Sequence, residues 1–262
     1  MNHHKTALIT GASGGIGYEL AKLFAQDLHN LVLVARSATK LTQFADELER
    51  QFGISVKSIP LDLAAAPAPQ FLFDQLQRER VAVDILVNNA AYGKFGEFAN
   101  IPLEETLGQI QLNITALTHL TKLFLAPMLE QRAGKIMNVA STAGFQPGPL
   151  MAVYYATKAY VISFSEALAN ELKGSGVTVT CFCPGATDTG FAKRADTESS
   201  RLFKQIGAMD AKTVAQDGYR GLMKGKGLVI SGFRNWLLAE SVRFAPRKAV
   251  TSISRWVAEK VD

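Results

Sequence analysis

Tyr154 and Lys158 stand four residues apart in the run YYATK at positions 154–158, a spacing that turns both side chains to one face of a helix. A free tyrosine has a pKa of about 10, too high for ready proton exchange at neutral pH. An ammonium held beside it stabilises the phenolate, which would make Tyr154 a usable general acid or base. Ser141 lies thirteen residues earlier, at the end of a strand-like run, Lys135–Ala140. Hydroxyl and phenol together can hold one substrate oxygen from two sides, the first polarising it and the second giving the proton. A tyrosine followed four residues later by a lysine is a common helix pattern, so the assignment needs the surrounding elements.

A second cluster is Thr10-Gly11-Ala12-Ser13-Gly14-Gly15-Ile16-Gly17. It follows a short apolar run, Thr6–Thr10, and opens a stretch in which Ile16, Leu20, Leu23 and Phe24 recur at helical spacing. Glycines permit positive φ and close backbone approach to a pyrophosphate, and a helix N-terminus offers free N–H groups to the same anion. A Gly-rich turn between a first strand and a first helix therefore predicts a dinucleotide site. The second strand bears on which dinucleotide. A site for NAD usually has an acidic residue near the end of that strand to bond the ribose 2′-hydroxyl. Here the strand ends Val34-Ala35-Arg36-Ser37, without a carboxylate. Arg36 is expected to hold the 2′-phosphate of NADP(H), with Ser37 adding a hydrogen bond; the alternative is a surface arginine at a strand end.

The elements that must position these residues alternate along the chain. Leu31–Ala35 (LVLVA) is too continuously apolar for one-sided exposure and reads as a buried strand. Leu41, Phe44, Leu48 and Phe52 mark the next helix, with Gly53 as its end. Further strands are expected at 54–59, 84–87, 135–140, 177–183 and 228–231, and helices near 70–80, 103–131, 154–173 and 211–224. Alternation of this kind implies right-handed crossovers and a parallel sheet. The expectation is a Rossmann-type, doubly wound α/β fold in a single domain over residues 1–262.

Together these pieces resemble the short-chain dehydrogenase/reductase family, in its short single-domain branch. The motifs follow the family's order over almost the whole chain: TGASGGIG at 10–17, Asp62-Leu63, Asn88-Asn89-Ala90-Ala91, Asn113, Ser141, YYATK at 154–158 and PGATDT at 184–189. The resemblance implies NAD(P)-dependent interconversion of a carbonyl and an alcohol. It implies that Tyr154 is the proton donor in reduction, that Ser141 holds the substrate oxygen, and that Lys158 binds the nicotinamide ribose and depresses the Tyr154 pKa. It also implies that Asn113, on a helix, helps hold a water relaying protons from Lys158. Asp62, with Leu63, would meet the adenine; Asn88 and Ala90 would line the cofactor cleft; and Pro184, Gly185, Thr187 and Thr189 would meet the nicotinamide carboxamide. Ala91 departs from the family's usual glycine and adds a methyl near the cofactor. The run NNAAYGKFG at 88–96 looks like general reductases near the ketoacyl and steroid reductases. The family also suggests a homo-oligomer built on the helices near 103–131 and 154–173. An NADP-binding sensor without turnover is a weaker alternative, because such proteins commonly lose the Tyr or Lys. An epimerase or dehydratase is weaker still, because those relatives usually run longer.

Composition narrows the setting. The 262 residues are 48% hydrophobic and 19% charged, which fits a globular protein and excludes collagen-like, coiled-coil and disordered chains. Cys181 and Cys183, at i and i+2 of a predicted strand, cannot form a disulfide framework and read as buried core thiols; no metal site is expected. No run reaches the ~18 apolar residues of a membrane span. Met1–Lys5 leads straight into the first strand, so a cytoplasmic protein without a signal peptide is expected, with His3 and His4 in a frayed tail. The net charge of +5 is uneven: residues 1–192 hold 14 basic and 16 acidic side chains, residues 193–262 hold 14 and 7. No compact basic run with interleaved aromatics points to nucleic acid. Residues 187–208 are expected to form a substrate lid, with Phe191, Leu202, Phe203 and Ile206 over the substrate and FQPGPLM at 145–151 as another wall. These side chains favour a lipophilic or acyl-type ketone over a free sugar. The tail, 233–262, reads as a helical extension with an apolar stripe (Val250, Ile253, Val257, Val261) and flanking Arg247, Lys248, Arg255 and Lys260. Packing against the body or a second subunit is expected there, with peripheral membrane contact as the alternative.

Overall fold

The computed structural model describes residues 4–261, the side chain of Ile206 apart; His3 lies outside the described residues. Its strands are β1 (Thr6–Thr10), β2 (Asn30–Ala35), β3 (Val56–Pro60), β4 (Ile85–Asn88), β5 (Gly134–Val139), β6 (Val177–Cys183), β7 (Thr187–Asp188), β8 (Met209–Asp210) and β9 (Leu228–Ile230). The α-helices are α1 (Gly15–Gln26), α2 (Ala38–Phe52), α3 (Ala68–Arg78), α4 (Leu103–Ile110), α5 (Leu117–Glu130), α6 (Ala152–Glu171), α7 (Gly190–Ala195), α8 (Ala211–Met223), α9 (Phe233–Ser241) and α10 (Arg247–Ala258). Seven strands pair in parallel in the order β3-β2-β1-β4-β5-β6-β9, while β7 and β8 form a separate two-stranded pair. The order reverses between β1 and β4, and in open α/β sheets ligands bind beyond the carboxyl ends of the strands at such a switch point.

Both faces of the sheet are covered, which is why its central strands carry continuous apolar runs such as Ala7–Ile9 and Ile85–Val87. On one face Ile9 and Leu33 pack with Leu20 and Phe24 of α1, Leu41 and Phe44 of α2, and Val214 and Leu222 of α8. On the other, Leu8, Val32 and Ile136 meet Leu72 and Leu76 of α3 and Leu120 and Phe124 of α5. Each fully buried Leu, Ile, Phe or Val of this kind contributes about 1.5–3 kcal/mol. A third cluster packs Val161 and Ile162 of α6 with Cys181 and Cys183 of β6.

The doubly wound fold inferred from the sequence is the one observed, and Gly53 ends α2 in the left-handed region at φ 67°. Differences from the expected bounds have local causes. The third strand begins at Val56 rather than residue 54, because the Ser55 and Val56 amides donate to the side chains of Asn30 and Glu49. The third helix starts at Ala68, with Pro69 in its first turn, where a missing N–H costs nothing. The helix expected over 103–131 is interrupted by a π-helical turn at Gln111–Ala116, which carries Asn113. Within residues 187–208, α7 and a π-helical turn, Leu202–Ile206, follow β7, and β8 then ties the end of the segment back beside β7.

Candidate active site

The glycine loop leaves the first turn of α1 open to an anion. Its N-cap is Gly14, without a side-chain cap, and the first turn holds no acidic residue, so the amides have no competing partner from their own chain. Gly11 sits at φ +67°, and a Cβ there would lie 2.8 Å from Asn89 Nδ2 and 3.0 Å from Ala90 Cα. Asn89 Nδ2 donates to the carbonyls of Thr10 at 2.9 Å and Gly11 at 3.3 Å, clamping the loop to the end of β4. A glycine turn held this close to β4, opening on an uncapped helix N-terminus, fits the pyrophosphate of a dinucleotide.

One cavity of about 830 Å³ runs from this loop over the carboxyl ends of the strands. Gly11, Ser13, Gly14, Gly15 and Ile16 line it at the first turn, and Arg36, Ser37, Asp62 and Leu63 at the ends of β2 and β3. Ala90 and Ala91 line its centre, and Pro184, Gly185, Thr187 and Thr189 the wall beyond β6. Asp62 Oδ1 accepts from the Ala64 amide at 3.0 Å, which fixes the turn after β3.

Four of the expected residues lie outside the cavity wall. Thr10 turns into the sheet, where its Oγ1 accepts from the Asn89 and Ala90 amides and donates to Val87 O. Gly17 sits where a Cβ would come within 2.5 Å of Gly11 O, so it permits packing of helix against loop rather than contact with a ligand. Asn88, expected to line the cleft, is buried behind it: its Nδ2 donates to Thr121 Oγ1 at 3.0 Å and Asn138 Oδ1 at 2.9 Å. Successive strand residues face opposite ways, and at this strand end Asn89 takes the role at the loop. The Asn113 side chain is fully engaged elsewhere, accepting from the Tyr92 amide and donating to Tyr92 O and Thr157 Oγ1. It braces the loop carrying Ala90–Tyr92 against α6.

Ser141, Tyr154 and Lys158, expected from the sequence to do the chemistry, all line the wall of this cavity. Ser141 caps the 3-10 turn Thr142–Phe145, accepting from the Ala143 amide at 3.1 Å and donating to Pro184 O at 3.4 Å. Tyr154 and Lys158 project from the first turns of α6. The Tyr154 ring lies 5.1 Å from that of Phe191 on α7 and 6.1 Å from that of Tyr155. Burial among these rings pushes its phenol well above the ordinary tyrosine value, with the Ser141 hydroxyl pulling part of the way back. Lys158 is 3% exposed, and its Nζ donates to Val139 O at 2.7 Å. Burial lowers its pKa to about 8, while the neighbouring Cys183 and Cys181 thiols act in the opposite direction.

The expected depression of the Tyr154 pKa by Lys158 is therefore not expressed in this geometry. The ammonium sits 5.7 Å from the phenol ring centroid and is held by a backbone carbonyl, so desolvation dominates at the tyrosine. Tyr18 and Lys22 share the same spacing on α1, but Tyr18 stacks on Phe44 at 4.0 Å, outside the cavity wall. Spacing alone does not separate the two pairs; position at the strand ends does.

Two residues to which the sequence reading gave no role line the site. Asn89 is the loop clamp, and Lys40 lines the cavity beside Arg36 and Ser37. Lys40 lies four residues after Arg36, one turn along the chain as it enters α2, and that spacing was its available signal.

A family profile described as short chain dehydrogenase matches residues 5–200. The chain is a short-chain dehydrogenase/reductase. Among curated relatives of this dehydrogenase, the ketoacyl reductase HetN of Nostoc sp. is 35% identical over 212 residues, 80% of this chain and 72% of that protein. A short-chain dehydrogenase from Sphingobium yanoikuyae, solved in complex with NADPH, superposes with a TM-score of 0.81 at 31% identity, covering 92% of this chain and 93% of that one. A bulky-bulky ketone specific alcohol dehydrogenase from Comamonas testosteroni gives a TM-score of 0.78 at 30% identity, over 92% of each chain. The short-chain dehydrogenase assignment makes the protein an oxidoreductase of a family that binds a nicotinamide cofactor.

Proposed function

We propose that the protein is an NADP(H)-dependent reductase of a lipophilic or acyl-type ketone, with Tyr154 as proton donor and Ser141 as the holder of the substrate oxygen. The observation that carries this reading is the convergence of Ser141, Tyr154 and Lys158 on one cavity that also holds the glycine loop. The loop amides and the first turn of α1 would take the pyrophosphate, and Lys158 the nicotinamide ribose. The bound nicotinamide would supply hydride to the carbonyl carbon. Tyr154 Oη gives its proton to the carbonyl oxygen as charge develops there, and the Ser141 hydroxyl, held in place by the Ala143 amide, orients that oxygen. A phenol raised by burial remains protonated across the neutral range, which suits a donor. Phe191, whose ring lies tilted against that of Tyr154, shields the transfer from water.

Preference for NADP(H) is supported by charge at the end of β2, where Arg36 and Lys40 line the cavity without a carboxylate between them. The substrate class is supported by the walls beyond Tyr154, which include Met151, Phe191, Leu202 and Phe203. Similarity to a ketoacyl reductase and to an enzyme for bulky ketones points the same way. Two free, buried thiols suit a reducing, cytoplasmic setting. Exposed Leu103 and Leu107 on α4 and Tyr160 on α6 support a homo-oligomer through those helices.

The test is NADPH oxidation against ketoacyl thioesters, bulky ketones, aldehydes and sugars, with Tyr154→Phe as control. Loss of a positioned general acid costs about 10²–10⁴-fold in turnover. The expected result is turnover of the acyl or bulky ketones, reduced by at least two orders of magnitude in the variant with NADPH affinity nearly intact. A variant that keeps a tenth of the wild-type rate would overturn the role of Tyr154.

A further inference from the structure

The C-terminal helices carry an apolar face that the body of the protein does not cover. On α9, Phe233 is 74% exposed and stacks on Trp236 one turn later, with Leu237 exposed beside them. Phe244, in the turn between the helices, is 88% exposed, and Ile253 and Trp256 stand out from α10. Both tryptophans of the chain are thus among these exposed side chains, Trp256 with the Arg201 guanidinium over its ring at 5.0 Å. Leu238, Ala245 and Ile253 are exposed and also line the cavity, so the face surrounds one end of it.

The charge around the face is of one sign. Between residues 233 and 258 stand Arg234, Arg243, Arg247, Lys248 and Arg255 against a single acid, Glu240. Arg243 pairs with Glu240 at 3.3 Å, and Arg255 lies 3.6 Å from Glu97 and 3.7 Å from Glu259. Among the described residues, no ion pair engages Arg234, Arg247 or Lys248, and all three are exposed. Two short helices with aromatic and aliphatic residues on one side and free cations at the rim have the character of elements that lie in a membrane interface. Tryptophan is the side chain most at home at that depth, with an apolar body and one polar N–H. Among the described residues no helix is long and apolar enough to cross a membrane, so the contact considered is a peripheral one. A second copy of the chain is a poorer occupant: a two-fold contact would set these cations against their own copies, with one glutamate from each side to offset them.

We propose that α9 and α10 dock the protein on an anionic lipid bilayer, with the cavity opening into the interface. A lipophilic substrate would then pass between Leu238 and Ile253 without crossing water. That consequence rests on the substrate class proposed above; the docking does not, and its test is read without turnover.

The full chain is sedimented with vesicles of phosphatidylglycerol and phosphatidylcholine, and with phosphatidylcholine alone. Trp236 and Trp256, the only tryptophans, report insertion directly through quenching by brominated acyl chains. Wild type is expected to pellet with the anionic vesicles, to be quenched there, and to be released by salt. Each free cation near such a surface is worth about fivefold in partitioning, so a variant combining Arg234→Gln, Arg247→Gln and Lys248→Gln should bind about 100-fold more weakly. Phe233→Ser with Phe244→Ser should lose the quenching. None of these residues lines the cavity, so thermal unfolding and NADPH binding serve as checks on folding. A wild type that stays in the supernatant, or a triple variant that pellets like it, overturns the proposal. So does a wild type that ignores vesicles while the double Phe variant sediments as a smaller species, which would make the face a contact between copies.

Discussion

Asn88 and Asn89 are adjacent in sequence, yet replacing them should affect different properties. In Asn88→Ala the perturbation falls on a buried network: Asn88 Nδ2 serves both Thr121 Oγ1 and Asn138 Oδ1, and Asn138 Nδ2 in turn donates to Ser165 Oγ. This chain of bonds ties β4 and β5 to α5 and α6. Asn138 and Ser165 are 0% exposed and Thr121 1%, so water cannot replace the lost donor. An acceptor left unpaired in such a place costs about 1–3 kcal/mol, and the space left by the carboxamide adds to it. A total of about 3 kcal/mol corresponds to roughly 6–12 °C in melting temperature for a chain of this size. NADPH affinity, measured well below the melt by nucleotide fluorescence, should stay within about twofold, because Asn88 does not touch the cavity wall. In Asn89→Ala the loop loses the donor to the Thr10 and Gly11 carbonyls, and NADPH affinity should fall about tenfold or more. A melting temperature unchanged in Asn88→Ala, or a tenfold loss of NADPH affinity in it, would refute the assignment of its side chain to the network.

Two further outcomes follow from the charges at the site. Arg36→Ala and Lys40→Ala should each weaken NADPH by about 10- to 100-fold, the worth of one charge-assisted hydrogen bond, and leave NADH nearly unchanged; equal losses for both nucleotides in a titration would contradict a role at the 2′-phosphate. Lys158 should leave a trace in stability against pH. Its folded pKa, lowered to about 8, lies below the unfolded value of about 10.4, so burial of its charge is a cost fully present below pH 8. Between these values the unfolded chain holds a proton that the folded one has released, and stability should rise with pH by on the order of 3 kcal/mol. Urea unfolding from pH 7.5 to 10 should show that rise in wild type and a flatter profile in Lys158→Met; identical slopes would exclude a depressed Lys158.

What could be read from the sequence was set by how local each contact is. The glycine loop and the tyrosine–lysine pair are local objects, short in the chain and placed by one strand or helix, so their residue types and spacing carried most of the information. The alternation of buried strands and amphipathic helices was equally local, and it sufficed for the parallel sheet. The sequence is least informative where a side chain's partner is distant. Asn88 could face the cleft or the core, and the choice depends on Thr121 and Asn138, 33 and 50 residues away. Lys158 lies one helical turn from Tyr154, yet its ammonium is held by the carbonyl of Val139 on β5, which spacing along α6 cannot reveal. Asn113 bonds across to Tyr92 and Thr157, and the π-helical turn that carries it has no hydrophobic signature separating it from ordinary helix. The tail shows the same limit at a larger scale. Val250 and Val257 of its stripe do turn to the body and line the cavity, while Ile253 lines the cavity at its exposed rim. The other face, built from Phe233, Trp236 and Phe244, emerges only once α9 and α10 are both placed at the cavity. An amphipathic pattern says that a helix has an apolar side, but which of two apolar sides goes uncovered is decided by the rest of the fold.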